Sequence, residues 1–256
     1  INSKSCQFNI KSINRLDQKP DLILVCVKNY TLEQISALLK KAARPGTIIL
    51  SVLNGITSEP FLQNLLPESI VLYSAVLGMD AVKENNQLIY TSKGKVLLGS
   101  LENRKIPEVS IMSEFLNECE LGFSIPEDIH REIWYKLMIN IGVNQISAIT
   151  GASYGSFQQN RNLQELMEKA MKETISVARA ENVNLCEEDL NRWYKVLHTL
   201  GPDGKTSMLQ DIEAKRKTEV ETFAGELLRR AAKLNIDVPV NDTLYSLIKT
   251  RESLYL

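Results

Sequence analysis

Histidine is almost missing from these 256 residues. His130 and His198 are the only two, and they lie far apart in the chain. A His-rich metal site and a Ser-His relay are therefore not expected. The four cysteines, Cys6, Cys26, Cys119 and Cys186, are scattered and form no Cys-x-x-Cys pair. That argues against a zinc site or a disulfide framework and makes a reducing cytoplasm the plain setting. No apolar run approaches the roughly 20 residues that a membrane span needs. The opening Ile1-Asn2-Ser3-Lys4 lacks the basic-then-apolar pattern of a signal peptide. Charge of one sign is lacking too. The formal net charge is −1, which gives no electrostatic reason to expect nucleic acid or an anionic membrane as partner. Chemistry in this chain has to rest on other side chains.

What is present divides in two. Up to about residue 125, short apolar β-like runs alternate with helical stretches. Asp21–Lys28 is a continuous apolar run ending in a polar residue, as in a strand buried on both faces of a parallel sheet. Thr31 to Ala43 reads as a helix, with Thr31 as its cap, Gln34 three residues on, and Pro45-Gly46 as its stop. Thr47–Leu53 reads as a second buried strand, Asn54-Gly55 as a turn, and Ser58–Leu66 as a short helix. This is the βαβ rhythm. Val71–Gly78, Gln87–Tyr90 and Lys95–Leu98 read as three more strands with Lys93-Gly94 as a turn, and Ser113–Cys119 as a helix.

From Pro126 onward strand-like alternation stops. Helices are expected over roughly 127–149, 162–181, 187–199, 208–234 and 242–253. Breaks fall at Gly151, Asn182-Val-Asn184, Gly201-Pro202-Asp203-Gly204 and Asp237-Val-Pro239. There is no internal repeat and no low-complexity tract. The expectation is an α/β domain over 1–125 followed by an all-helical domain over 126–256.

Open α/β domains that bind dinucleotides carry a Gly-rich turn, such as Gly-x-Gly-x-x-Gly, after their first strand. No such turn occurs here, and only 20 residues precede the first convincing strand. Either the domain does not bind dinucleotides, or its first βαβ unit lies outside these residues.

Three groups of residues could carry chemistry. Lys136, Asn140 and Asn144 recur at four-residue spacing, one stripe on a helix whose neighbours Leu137, Met138, Ile139, Ile141 and Val143 are apolar. The stripe is either the solvated face of an amphipathic helix or the lining of a polar site, since burying an ammonium and two amides without partners is costly. In the second group Ser207 and Gln210 fit a capping box. Asp211, Lys215 and Glu219 also recur every four residues, a spacing that suits exposed ion pairs along a helix. Third, Lys28 and Asn54 close the first two strands. Ligands of open α/β sheets bind outside the carboxyl ends of strands, although a snorkelling Lys and an ordinary Asn-Gly turn fit equally well.

Taken in order, Val27-Lys28, Asn54-Gly55, Lys136-x3-Asn140-x3-Asn144, Ser207-Met-Leu-Gln-Asp211 and Arg216-Lys-Thr-Glu219 resemble the ketopantoate reductases, from about residue 20 to the end of the chain. Val238-Pro239-Val-Asn241 and Lys249-x2-Glu252 fit that family's last helix. The resemblance implies a truncated Rossmann-like domain followed by a helical domain like that of 6-phosphogluconate dehydrogenases, with the active site in the cleft between them. It implies NADP as cofactor and reduction of 2-dehydropantoate (ketopantoate) to pantoate on the route to pantothenate. By resemblance Lys136 is the general acid and Glu219 lies close to it or to the cofactor. Asn140, Asn144 and Ser207 hydrogen-bond the substrate, Asn54 positions nicotinamide and substrate, and Lys28 contacts the cofactor. Where many relatives place a further substrate Asn, this chain has Tyr154. A phenol can still hydrogen-bond, but its reach and bulk leave another small 2-keto acid open as substrate. A non-catalytic remnant serving as a dimeric helical module is the alternative of another class. A homodimer is expected in either case, because sheet edges invite pairing.

Overall fold

The computed structural model describes residues 1–2, 4–84 and 86–256. Two of the expected apolar runs form neighbouring strands: β1 spans Leu22–Val25 and β2 spans Ile48–Ser51, with helix α1, Ser36–Ala42, between them. Helix α2, Ser58–Leu65, follows the Asn54-Gly55 turn. Strand β3, Ile70–Glu84, pairs with β2, and β1, β2 and β3 are parallel, with Leu24 opposite Leu50 and Leu50 opposite Leu72. Both faces are covered. Val25, Ile49 and Val71 pack with Leu39 and Leu62 on one side. Leu50, Leu72 and Leu98 pack on the other side with Val109, Met112 and Leu116. Continuous apolar runs rather than alternating ones are what such a sheet requires.

Four details of the first half differ from the sequence expectation. Thr31 does not cap a helix. Its hydroxyl donates back to the Lys28 carbonyl at 2.7 Å inside a short 3-10 turn, Asn29–Thr31, and α1 begins only at Ser36. Second, the three expected strands after residue 70 are two long ones, β3 and β4 (Gln87–Gly99), paired antiparallel. Lys93-Gly94 lies inside β4. Gly94 (φ +71°) stands opposite Gly78 (φ +66°), and a Cβ on Gly94 would fall 2.7 Å from the Leu77 carbonyl oxygen. The glycine permits a local kink between close backbones, not a turn. Third, helix α3 begins at Pro107, a residue preorganised for the first helical position, and runs to Glu118. Fourth, the two-residue strand β5, Phe123–Ser124, joins β4 in parallel and is too short to show a period.

The second half is helical, as its composition implies. Helix α4 spans Ile129–Ile139. It continues through a wide π-type turn, Asn140–Asn144, into α5, Gln145–Thr150, which ends at Gly151 (φ +76°). Helix α6 (Tyr154–Gln159), absent from the sequence expectation, leads to α7 (Arg161–Ala180) and α8 (Glu188–Leu197). The expected helix over 208–234 is broken. Helix α9 covers Ser207–Glu213, Lys215 turns the chain at φ +52°, and a second π-type turn, Glu221–Gly225, precedes α10, Glu226–Leu234. Helix α11, Pro239–Ser253, follows. The chain divides into two compact units, Ile1–Ile133 and Trp134–Leu256.

Within the helical unit the first π turn is held tightly. A Cβ on Gly142 would lie 2.5 Å from Met171 Cγ on α7, so only glycine lets these helices approach so closely. Gln145 Nε2 donates to the Ile141 carbonyl at 3.0 Å and to Asn241 Oδ1 at 3.2 Å. Glu173 of α7 accepts from the Val240 and Asn241 amides, each at 2.9 Å, and so caps α11. Among the described residues no helix is long and apolar enough to cross a membrane.

Candidate active site

The Lys136 stripe is not a solvated helix face. Lys136 and Asn140 are half-buried and Asn144 is buried. Asn140 and Asn144 bound the π turn, and Asn144 Nδ2 donates to Asn140 Oδ1 at 3.3 Å and to Ser207 Oγ at 3.5 Å. The Asn140 amide nitrogen is buried with no hydrogen-bond partner among the described residues. Such a donor costs about 1–3 kcal/mol if left unpaired, and a ligand oxygen is the natural means of satisfying it.

Ser207 is not the cap of α9. Thr206 takes that role, its Oγ1 accepting from the Leu209 amide at 3.2 Å. The cap is thus displaced by one residue, with Leu209 rather than Gln210 at the third helical position, so no reciprocal box forms, and the exposed Ser207 hydroxyl meets Asn144 instead. The even spacing of Asp211, Lys215 and Glu219 does not mark an exposed helix face either. The helix ends at Glu213, and Asp211 and Glu219 are buried. Asp211 accepts from Arg216 Nε at 2.9 Å. Glu219 lies on the non-helical link that leads into the second π turn. Tyr154, half-buried, is tied to the 201–204 loop. Its amide donates to the Gly204 carbonyl at 3.0 Å, and a Cβ on Gly204 would touch its ring. That loop leads through Thr206 to Ser207.

In the sheet unit, Lys28 and Asn54 are half-buried just beyond the carboxyl ends of β1 and β2. The Lys28 carbonyl accepts from both the amide and the hydroxyl of Thr31. Gly55, at φ +94°, makes the turn after Asn54. A buried polar network underlies this turn. Ser51 Oγ donates to Ser58 Oγ at 2.8 Å, Ser58 Oγ donates to Glu59 Oε2 at 2.8 Å, and Ser74 Oγ donates to the Ser51 carbonyl. Asn29, beside Lys28, donates through Nδ2 to Thr57 Oγ1 at 3.4 Å, tying the two strand-end segments together. Burial, reinforced by the Glu59 charge, pushes the Tyr73 phenol above its ordinary value.

Sequence reasoning missed Thr206, Glu59 and the serines around Glu59. Thr206 was legible only as one of two adjacent hydroxyl residues, and nothing in the spacing marks Glu59 as buried.

With this geometry in place, the comparisons with known proteins decide the family. The family described as "Ketopantoate reductase PanE/ApbA" matches residues 2–103, and its C-terminal counterpart, "Ketopantoate reductase PanE/ApbA C terminal", matches residues 128–252. This chain belongs to the ketopantoate reductase family. The 2-dehydropantoate 2-reductase of Yersinia pestis is 29% identical over 236 residues, covering 92% of this chain and 75% of that protein. Among solved structures, the dimeric ketopantoate reductase of Staphylococcus aureus is similar with a TM-score of 0.83 at 21% identity, covering 96% of this chain and 82% of that one. A D-mandelate dehydrogenase solved with NADH and anilino(oxo)acetate is similar with a TM-score of 0.84 at 21% identity, covering 95% of this chain and 80% of that one. The Rossmann-like sheet followed by helices is the fold these ketopantoate reductases share.

Proposed function

We propose that this family member reduces 2-dehydropantoate to pantoate with NADPH, a step toward pantothenate. The observation that carries the reading is the hydrogen-bonded set Asn140–Asn144–Ser207, with Lys136 one helical turn before Asn140. Asn140, Asn144 and Ser207 offer amide and hydroxyl groups suited to a hydroxyl and a carboxylate. Lys136 holds a proton at Nζ. Its positive charge stabilises an oxyanion developing on the keto group, and its proton then completes the hydroxyl. Glu219, beside Lys136 or the cofactor, would favour the charged ammonium. Tyr154 would bound the substrate.

NADP fits Lys28 and Asn54 in one respect: both follow strands of a parallel set, where open α/β sheets take ligands. When bound it supplies the hydride. The pyrophosphate needs a Gly-rich turn, which these residues do not contain, and the proposed activity depends on one being supplied. The free cysteines suit a reducing cytoplasm, and a homodimer is the proposed assembly, supported by the dimeric S. aureus structure.

A second reading keeps the reaction and changes the substrate to another small 2-keto acid. Tyr154 and the similarity to a D-mandelate dehydrogenase favour it. A panel of 2-keto acids, assayed with NADPH and NADH, separates the two. The assay is run on this chain and on the chain preceded by a Gly-rich βαβ unit. Preference for 2-dehydropantoate with NADPH is the expected result. Preference for an aromatic keto acid would replace the first reading with the second. Failure to bind either cofactor in both forms would favour the non-catalytic remnant.

A further inference from the structure

Glu219 lies on a segment that has no helix of its own. Helix α9 ends at Glu213, Lys215 reverses the chain at φ +52°, and the next helical turn begins at Glu221. A side chain on such a link keeps one position only if its backbone is fixed from outside. Glu252, near the end of α11, does this. Its Oε1 accepts from both the amide and the hydroxyl of Thr218, each at 2.7 Å. Thr218 Oγ1 in turn accepts from the Val220 amide at 3.2 Å. The residues on both sides of Glu219 are thereby bound, directly or through one hydroxyl, to a single carboxylate oxygen.

Both partners are buried, Glu252 at 3% exposure and Thr218 at 1%. A buried carboxylate is costly unless it is paired and hydrogen-bonded. Here Lys249 Nζ stands 3.7 Å from the other oxygen, Oε2. The start of the link is bound as well. The Arg216 amide donates to the Asp211 carbonyl at 2.8 Å, and Tyr255 donates its hydroxyl to the Arg216 carbonyl at 2.9 Å.

We propose that Glu252 is a positioning residue for Glu219, acting through Thr218. It touches no substrate; it sets where the Glu219 carboxylate stands. The inference rests on the proposed role of Glu219 in keeping Lys136 charged. A purely structural role for Glu252, tying α11 to the rest of the unit, would change the melting temperature and nothing at Lys136.

The test is the acid dissociation constant of Lys136, followed by NMR titration of its labelled side chain in the whole protein, a readout that needs no turnover. Glu219→Gln is expected to raise that constant about tenfold, as loss of a close opposite charge does. Thr218→Val and Glu252→Gln should each give much of the same change, and Thr218→Ser should restore the original value. In a Glu219→Gln background neither Thr218→Val nor Glu252→Gln should add anything. A direct influence of the Glu252 charge on Lys136 would persist in that background and show itself there. Melting temperature and amide exchange confirm that each variant is folded, with Thr218→Ser as the mildest of the set. If Glu219→Gln shifts Lys136 but Thr218→Val and Glu252→Gln do not, or if they shift it equally without Glu219, the inference is wrong. If Glu219→Gln itself leaves Lys136 unchanged, the proposed role of Glu219 fails and the inference falls with it.

Discussion

The sheet unit and the helical unit present their candidate residues in different ways. In the sheet unit Lys28 and Asn54 follow the ends of regular strands, over a buried set of hydroxyls and one carboxylate. In the helical unit Lys136 lies within α4, and the other candidates sit where regular structure begins or is interrupted. Asn140 and Asn144 bound a π turn, Ser207 opens a short helix, and Glu219 precedes a second π turn. Strands of an open α/β sheet deliver residues to a common edge simply by ending. Helices have no such edge, and a widened turn is one way to turn side chains from a continuous apolar helix toward a polar site.

This contrast between the two units has measurable consequences. Under the proposed reaction, Asn140→Ala and Asn144→Ala should raise KM for the keto acid about 10- to 100-fold, in line with losing hydrogen bonds worth about 1–3 kcal/mol. Asn54→Ala should act mainly on KM for NADPH. Steady-state kinetics with each substrate varied would reveal a mixed pattern, and that would erase the division of labour. Next, Gly142→Ala should destabilise the helical unit by about 1–3 kcal/mol, because its Cβ would collide with Met171. A melting temperature above the wild type would instead mean that α7 can yield and that ordinary helix propensity prevails.

Ser58→Ala removes the hydroxyl linking Ser51 to Glu59. A loss of about 1–2 kcal/mol in chemical denaturation is expected, accompanied by faster amide exchange around Asn54. Unchanged exchange there would separate the buried network from the turn. The smallest effect concerns Glu221. Burial alone would lift its carboxyl. The hydrogen bonds from Tyr245 and Lys249, with the charges of Lys249 and Arg229, outweigh burial and hold it below its ordinary value of 4.5. A depressed folded value contributes stability that is complete above the unfolded value and is lost as pH falls through the folded one. Melting temperatures measured from about pH 5.5 down to about pH 3.5, roughly one unit on either side of 4.5, should therefore fall less steeply in Glu221→Gln than in the wild type. Parallel slopes would show that Glu221 contributes nothing on folding.

The same contrast explains what the sequence made legible. The strands were visible because Leu22–Val25 and Ile48–Ser51 are apolar on both faces and stop abruptly. The Lys136 stripe was visible because a π turn alters helical periodicity too little to hide a four-residue repeat. The break after Glu213 was hidden because Asp211, Lys215 and Glu219 keep helical spacing through a link that is not helical. What decides that link is tertiary, namely Glu252 reaching Thr218 across 34 residues of chain. Thr206 and Ser207 are both plausible caps, and only the Thr206–Leu209 hydrogen bond distinguishes them. Gly94 resembled a turn because local sequence does not show that another glycine stands opposite it.

The proposed reaction rests on the helical unit's Lys136 stripe. Its most direct test is 2-dehydropantoate-dependent oxidation of NADPH by the wild type and by Lys136→Ala, assayed with the Gly-rich unit supplied and with pantoate identified as product. Turnover in the wild type and a loss of about 10²- to 10⁴-fold in kcat in the variant, the range for a general acid, are expected at an unchanged melting temperature. A Lys136→Ala protein that makes pantoate at the wild-type rate would contradict this.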